Sequence, residues 1–131
     1  MVIARHFVEA MIEQAREQFP NEGCGLLAAE NGKVVKFYPI ENSDSSPVHY
    51  KMDPKQQLHA MLEIEDNEWD LAAIYHSHTH TRAYPSPEDR RLAFYPETLY
   101  LILSLADPEQ PIMHAYRMDG DDVTEESIEV V

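Results

Sequence analysis

His76 and His78 follow directly on the apolar run Leu71 to Tyr75 (LAAIY). Side chains on a strand alternate between faces, so a spacing of two sets both imidazoles on one side. Neutral imidazole is a common zinc ligand, and a pair supplies half of a tetrahedron. Asp89, at the start of a following helix, could supply a third ligand and leave the fourth position to solvent. Three ligands with one open position is the pattern of a catalytic zinc, whereas a closed set of four is structural. The single cysteine, Cys24, excludes a thiolate-rich structural site. Each residue also has a bland reading. A lone histidine is more often a surface or hydrogen-bonded core residue, and His6, His49, His59 and His114 keep that reading. His80 lies beside the pair and is read as a loop or outer residue. Ser86 and Asp89 have capping-box spacing, although Glu or Gln is the usual partner. Both readings can hold in part, because the helix start would fix Asp89's position. A ligating carboxylate is nonetheless not free to bend back as a cap, and two histidines in this register need a third ligand, so ligation is the expectation for Asp89.

The elements that must hold these residues follow from periodicity. Ile3, Phe7, Met11 and Ala15 form the stripe of an amphipathic helix that ends before Pro20. Gly23 to Ala29 is small and apolar, Asn31-Gly32 is a two-residue turn signal, and Lys33 to Ile40 alternates, which predicts a hairpin. Glu41 to Val48 (ENSDSSPV) reads as an exposed loop. Asp53 as N-cap and Pro54 at the first helical position open a second helix, with Leu58, Met61 and Leu62 on one face, that stops near Asn67. Leu71 to Tyr75 is the pattern of a strand buried on both faces, and it delivers His76 to His80 at its C-terminal end. Pro85-Ser86-Pro87 sets up a third helix through about Phe94. Leu99 to Leu105, Pro111 to Met118, an Asp119-Gly120 turn and a terminal strand near Val123 to Val131 complete the chain. Helices separated by strands predict a mixed α/β or α+β layer architecture.

Composition narrows the function classes. At 131 residues, residues 1–131 make one domain, and 44% apolar with 26% charged residues suits a packed globular core. A formal charge of −14 opposes binding to a phosphate backbone or an anionic membrane. No stretch approaches the roughly 18 to 20 apolar residues of a membrane span. The N-terminal stretch is interrupted by acidic residues and lacks the apolar core of a signal peptide, and a lone cysteine gives no reason to expect an oxidising compartment, so the expectation is cytoplasmic.

Glu22, then His76-Ser77-His78, seven residues, Ser86, two residues and Asp89 form a continuous pattern. It resembles the motif of the JAMM (MPN-plus) metalloprotease family, which includes deubiquitinating isopeptidases and smaller prokaryotic relatives. Counting from His80 instead puts Glu88 at the serine position, so the register selects His76 and His78. The resemblance implies a single-domain α/β JAB1/MPN (cytidine-deaminase-like) fold, a mixed sheet packed by helices. It implies one Zn2+ per chain on His76, His78 and Asp89. It makes Glu22, in Asn-Glu-Gly-Cys-Gly-Leu-Leu, the general acid/base, and Ser86 a stabiliser of the developing oxyanion. The chemistry is coherent: a zinc ion activates water near neutral pH, a carboxylate shuttles its proton, and a hydroxyl acts where negative charge develops.

The stretches His76-Ser-His-Thr, Ala83-Tyr-Pro-Ser and Asp122-Val-Thr-Glu-Glu are similar to a bacterial branch of the family that acts on ubiquitin-like sulfur-carrier proteins. There the enzyme releases cysteine from the carrier's C-terminus. The resemblance thus implies a carrier tail as partner, with a homodimer left open. Two alternatives stand beside it: a deubiquitinase-like isopeptidase, and a non-catalytic interaction domain of the same fold. Amidohydrolases that begin with an HxH pair need a barrel of about 250 residues. Zinc deaminases need H-x-E with P-C-x-x-C, which one cysteine cannot supply. Apart from the family pattern, Glu22 is one more solvated charge, Cys24 is a small buried hydrophobe, and Arg82 and Tyr84 are loop residues that could line an entrance.

Overall fold

The computed structural model describes all 131 residues. Helix α1 (Arg5–Gln18) turns Met11 and Ala15 inward and packs Phe7, Val8 and Ile12 beside them. Ile3 departs from the expected helix. It lies in a two-residue strand, β1 (Val2–Ile3), and is fully buried. Ala4 already has extended dihedrals, so Ile3 reaches the same core as the helical stripe from an extended segment.

Strands β2 (Cys24–Glu30) and β3 (Lys33–Ile40) form the predicted hairpin. Asn31 and Gly32 both have positive φ, 51° and 80°, which matches the strand twist in a type I′ turn. Helix α2 (Pro54–Asp66) begins at Asp53, whose carboxylate accepts the Gln56 N–H at 2.9 Å. The apolar face noted in the sequence is not the one packed inward. Ala60 and Ile64 point inward, whereas Leu58, Met61 and Leu62 are 59%, 36% and 48% exposed. Two apolar stripes lie side by side on this helix, and the small Ala60 side chain lets the helix sit close to the sheet.

Strand β4 (Asp70–His78) lies between β2, antiparallel, and β5 (Leu99–Ser104), parallel. Helix α3 (Pro87–Arg91) has five residues and stops short of the expected Phe94. Pro96 disfavours helix at Tyr95, and the Tyr95 N–H donates to the Tyr100 hydroxyl instead. β6 (Ile112–Asp119) and β7 (Asp122–Glu126) pair across the Asp119–Gly120 corner. The expected single terminal strand is split: β7 pairs with β6, while β8 (Glu129–Val130) pairs with β1.

The sheet order is β7-β6-β5-β4-β2-β3-β1-β8. Only Ser127 and Ile128 join the two outermost strands, a link that spans at most about 11 Å. A flat sheet of eight strands would hold its edges about 33 Å apart. The sheet therefore curls until this short link can span its two edge strands. Strand alternation divides the interior in two. Leu27, Ala73, Tyr75 and Leu101 face α1, whereas Leu26, Ile74, Tyr100 and Ile102 face the α2 side. Counting on from Ile74 by twos puts His76 and His78 on the α2 side.

Candidate metal centre

The histidines belong to β4 itself rather than to a loop after it. His76 sits between Cys24 of β2 and Ile102 of β5, and both imidazoles are nearly inaccessible, 1% and 4% exposed. Their Nε2 atoms are 3.1 Å apart, and Asp89 Oδ2 lies 3.2 Å from that of His76 and 2.9 Å from that of His78. Three ligand atoms thus converge on one point. Tetrahedral zinc with bonds of about 2.0 to 2.1 Å separates its ligands by about 3.3 Å, so this triangle need open by only a few tenths of an ångström. The donor set, two imidazoles and a carboxylate, fits a zinc ion.

The surroundings orient each ligand. His78 Nδ1 lies 2.9 Å from the Arg82 carbonyl, and donation there leaves the Nε2 lone pair for a metal. His76 Nδ1 is buried and has no partner, and its ring is held by stacking on Tyr50 at 4.6 Å and 22°. Asp89 Oδ2 also accepts the Ser86 N–H at 2.9 Å, while Ser86 Oγ accepts the Asp89 N–H at 3.0 Å. Capping and convergence on the histidines hold together here, because one carboxylate oxygen does both. Ser86 Oγ accepts within the cap and keeps its own proton to donate.

The charges follow from these contacts. Burial alone would raise Asp89, but hydrogen bonds from His76 and His78 hold its carboxyl well below the usual carboxylate range. Burial lowers His76, only partly offset by Asp89. Burial also opposes charging of His78, yet its bonds to Asp89 and the Arg82 carbonyl prevail and raise it.

Glu22 precedes β2 and is buried, 4% exposed, so the solvated-charge reading does not apply. Its Oε1 has no hydrogen-bond partner. Burial pushes its carboxyl up to about 8, with His78 opposing and Asp89 and Glu88 reinforcing the shift. The backbone around it is fixed from three directions. Glu22 N–H donates to the Ser46 carbonyl at 2.8 Å, and Asn42 Nδ2 donates to the Glu22 carbonyl at 3.1 Å. Gly23 N–H donates to Ser77 Oγ at 2.7 Å, and Ser77 N–H donates back to the Gly23 carbonyl. A Cβ on Gly23 would stand 2.7 Å from Gln14 Oε1, so a larger residue there would push the Gln14 carboxamide aside.

Asn42, Ser46, Ser77 and Tyr50 support the site without a sequence signal of their own. The Glu41 to Val48 stretch was expected to be exposed, yet Asn42 and Ser46 are buried. Turn-forming residues mark a loop equally well whether their side chains face solvent or cap other backbone. His80 is exposed against the Phe19 ring and takes no part in the ligand cluster. Arg82 lies over the exposed Tyr84 ring. Cys24 is buried, its thiol donates to the Ile40 carbonyl, and burial pushes that thiol up to about 12. From Asp89 a cleft of about 340 Å³ leads outward past Tyr50, Gln57, Ile74, Phe94 and Tyr95.

The profile of prokaryotic homologues of the JAB domain matches residues 4–119. The CysO-cysteine peptidase of Mycobacterium tuberculosis is 38% identical over all of this chain and 91% of its own length. The desampylase of Haloferax volcanii is 33% identical over 93% of this chain and 90% of its own. The solution structure of a protein from Desulfitobacterium hafniense superposes with a TM-score of 0.88 at 40% identity, covering 100% of this chain and 93% of that one. A JAB1/MPN domain protein from Archaeoglobus fulgidus, 19% identical, shares the fold with a TM-score of 0.64, over 100% of this chain and 99% of that one. The single-domain JAB1/MPN architecture implied by the His-Ser-His pattern is thus observed. With its profile match running from the first helix to the end of β6, the chain belongs to the prokaryotic JAB-domain family.

Proposed function

We propose that this chain is a zinc-dependent hydrolase that cleaves an amide bond at the C-terminus of a ubiquitin-like sulfur-carrier protein and releases cysteine. One observation carries the reading: three ligand atoms converge beside a buried glutamate whose carboxylate oxygen has no partner. A buried, unpaired carboxylate is costly unless it has a task. His76, His78 and Asp89 would hold a zinc ion, which would supply Lewis acidity for activating water and polarising the scissile carbonyl. Glu22, ionised once a cation beside it offsets its burial, takes a proton from the attacking water and returns it to the leaving amine. The Ser86 hydroxyl donates to the oxygen on which negative charge develops. The cleft from Asp89 past Tyr50 and Tyr95, lined by apolar and aromatic side chains interspersed with His49, Lys51, Gln57 and Glu88, takes the extended carrier tail.

The name of the mycobacterial relative, CysO-cysteine peptidase, supports cysteine as the leaving group. The desampylase supports the broader class, cleavage of ubiquitin-like conjugates, and is the second reading. In the same proposal the enzyme is cytoplasmic, and its charge of −14 turns away nucleic acid and anionic membranes. The test offers zinc-loaded protein a carrier-cysteine adduct and, separately, a carrier joined to a lysine side chain. Release of free cysteine from the adduct is the expected result. Cleavage of the isopeptide alone overturns the narrow reading and keeps the broad one. A folded wild type that binds no zinc and cleaves neither overturns both and leaves a scaffold.

A further inference from the structure

We propose that Asn42 is a positioning residue. It closes the loop between β3 and α2 around the backbone of Glu22, and so sets where the Glu22 carboxylate stands relative to His76, His78 and Asp89. This rests on the reading of Glu22 as the acid/base group.

Residues 43–51 return on themselves, and the ends of this loop are joined by a bridge between Asn42 and Met52. The buried Asn42 carboxamide fills the interior and uses its full capacity. Nδ2 donates to the Glu22 carbonyl and to the His49 carbonyl, each at 3.1 Å. Oδ1 accepts the Asp44 N–H at 3.1 Å and the Lys51 N–H at 3.0 Å. Two donors and two acceptors on one short side chain are unique to asparagine, since glutamine is a methylene too long and aspartate cannot donate when ionised.

Glu22 has need of such a hold. It precedes the first residue of β2, so no strand ladder fixes it. Its N–H goes to Ser46 of the loop and its carbonyl to Asn42. Because Oε1 makes no hydrogen bond, the carboxylate is aimed by its backbone and packing alone. The same loop carries Tyr50, stacked on His76, and Pro47, whose carbonyl accepts the Thr79 hydroxyl at 2.9 Å. One side chain therefore organises a loop that touches Glu22, a metal-site histidine and the segment after β4.

The test uses the full zinc-loaded chain in three variants. Asn42→Ala removes all four bonds. Asn42→Asp keeps the shape and sets a second acceptor against two carbonyls. Ser43→Ala removes a bond to the Lys51 carbonyl in the same loop without touching Glu22. Zinc content, kcat and KM on the carrier-cysteine adduct, and amide exchange at Glu22 and Ser77 are measured. Both Asn42 variants are expected to keep one zinc per chain and a KM within about twofold, with kcat lower by about 100-fold, the loss that a displacement near 1 Å produces. Glu22 amide exchange is expected to rise by about tenfold or more while that of Ser77 stays within about twofold, and Ser43→Ala is expected to match wild type.

A kcat close to wild type in Asn42→Asp overturns the proposal. So does a loss of zinc in step with kcat, which is what a merely structural role would produce. If Asn42→Ala does not fold, Asn42→Asp decides alone. If wild type cleaves no carrier adduct, the functional reading fails separately. The exchange data then decide: selective loosening of Glu22 with zinc retained supports positioning, and unchanged exchange overturns it.

Discussion

At the scale of single residues the site sets opposed demands on its carboxylates, and pH separates them. Asp89 is hydrogen-bonded by two histidines, and its folded-state pKa is depressed. Its contribution to stability is present above the ordinary value of 3.8 and is lost as pH falls below it. Glu22 behaves in the opposite sense. Its pKa rises from 4.5 to about 8, so between those values the folded protein holds a proton that the unfolded chain has released. Stability of the zinc-stripped protein should therefore fall as pH climbs from 4.5 to 8. Glu22→Gln abolishes this slope. Urea unfolding is expected to show the variant gaining on wild type with rising pH, by about 1 to 3 kcal/mol at pH 8, and a pH-independent difference would count against a buried, protonated Glu22. In the zinc-loaded enzyme the same variant should keep its metal while kcat drops by about 10²- to 10⁴-fold. Asp89→Ala should lose zinc outright by metal analysis, because two imidazoles alone leave half the coordination shell to solvent.

At the scale of elements, a strand and a helix start do most of the positioning. β4 aims two imidazoles in one direction by its period of two, and neighbouring strands on both sides leave it little freedom. α3 has only five residues and is held by its capping box, so Ser86 fixes the helix start and with it the position of Asp89. Ser86→Ala is expected to cost about 1 kcal/mol of stability through the lost cap, with zinc retained and kcat reduced by about 10²-fold. Thermal unfolding and single-turnover rates separate the two effects. α2 offers a further check on which face is inside. Ile64→Ala should cost about 2 to 5 kcal/mol, whereas Leu58→Gln, on the outward stripe, should stay within about 0.5 kcal/mol. Chemical denaturation giving equal costs would contradict the helix orientation.

At the scale of the whole molecule, the curled sheet brings its first and last strands together. Arg5 N–H donates to the Val131 carbonyl, Val131 N–H donates to the Ile3 carbonyl, and Ile128 packs against the core beside α1. Deleting residues 127–131 uncovers the β1 edge and removes those bonds. The expected result is a lower melting temperature and concentration-dependent association in light scattering, because an unpaired strand edge is a template for other chains. A monomer that melts like wild type would show that the closure contributes nothing.

The sequence by itself determined the hairpin at Asn31-Gly32, the strand that ends in His76 and His78, and the helix starts at Asp53 and Ser86. These are local effects: positive-φ turn chemistry, a side-chain period of two, and caps that act within three or four residues. It also singled out His76, His78 and Asp89, because their spacing is itself the signal. It could not decide which of two apolar stripes on α2 faces inward, that Val130 pairs with Ile3 across the molecule, or that Asn42 and Ser46 are buried against Glu22. Those outcomes depend on free energies shared between segments far apart in the chain: a stripe is inner only when a sheet covers it, and a polar loop residue is buried only when distant backbone accepts its hydrogen bonds. The burial that lifts Glu22 towards neutral pH arises in the same way, from the assembled fold and not from the residues beside it.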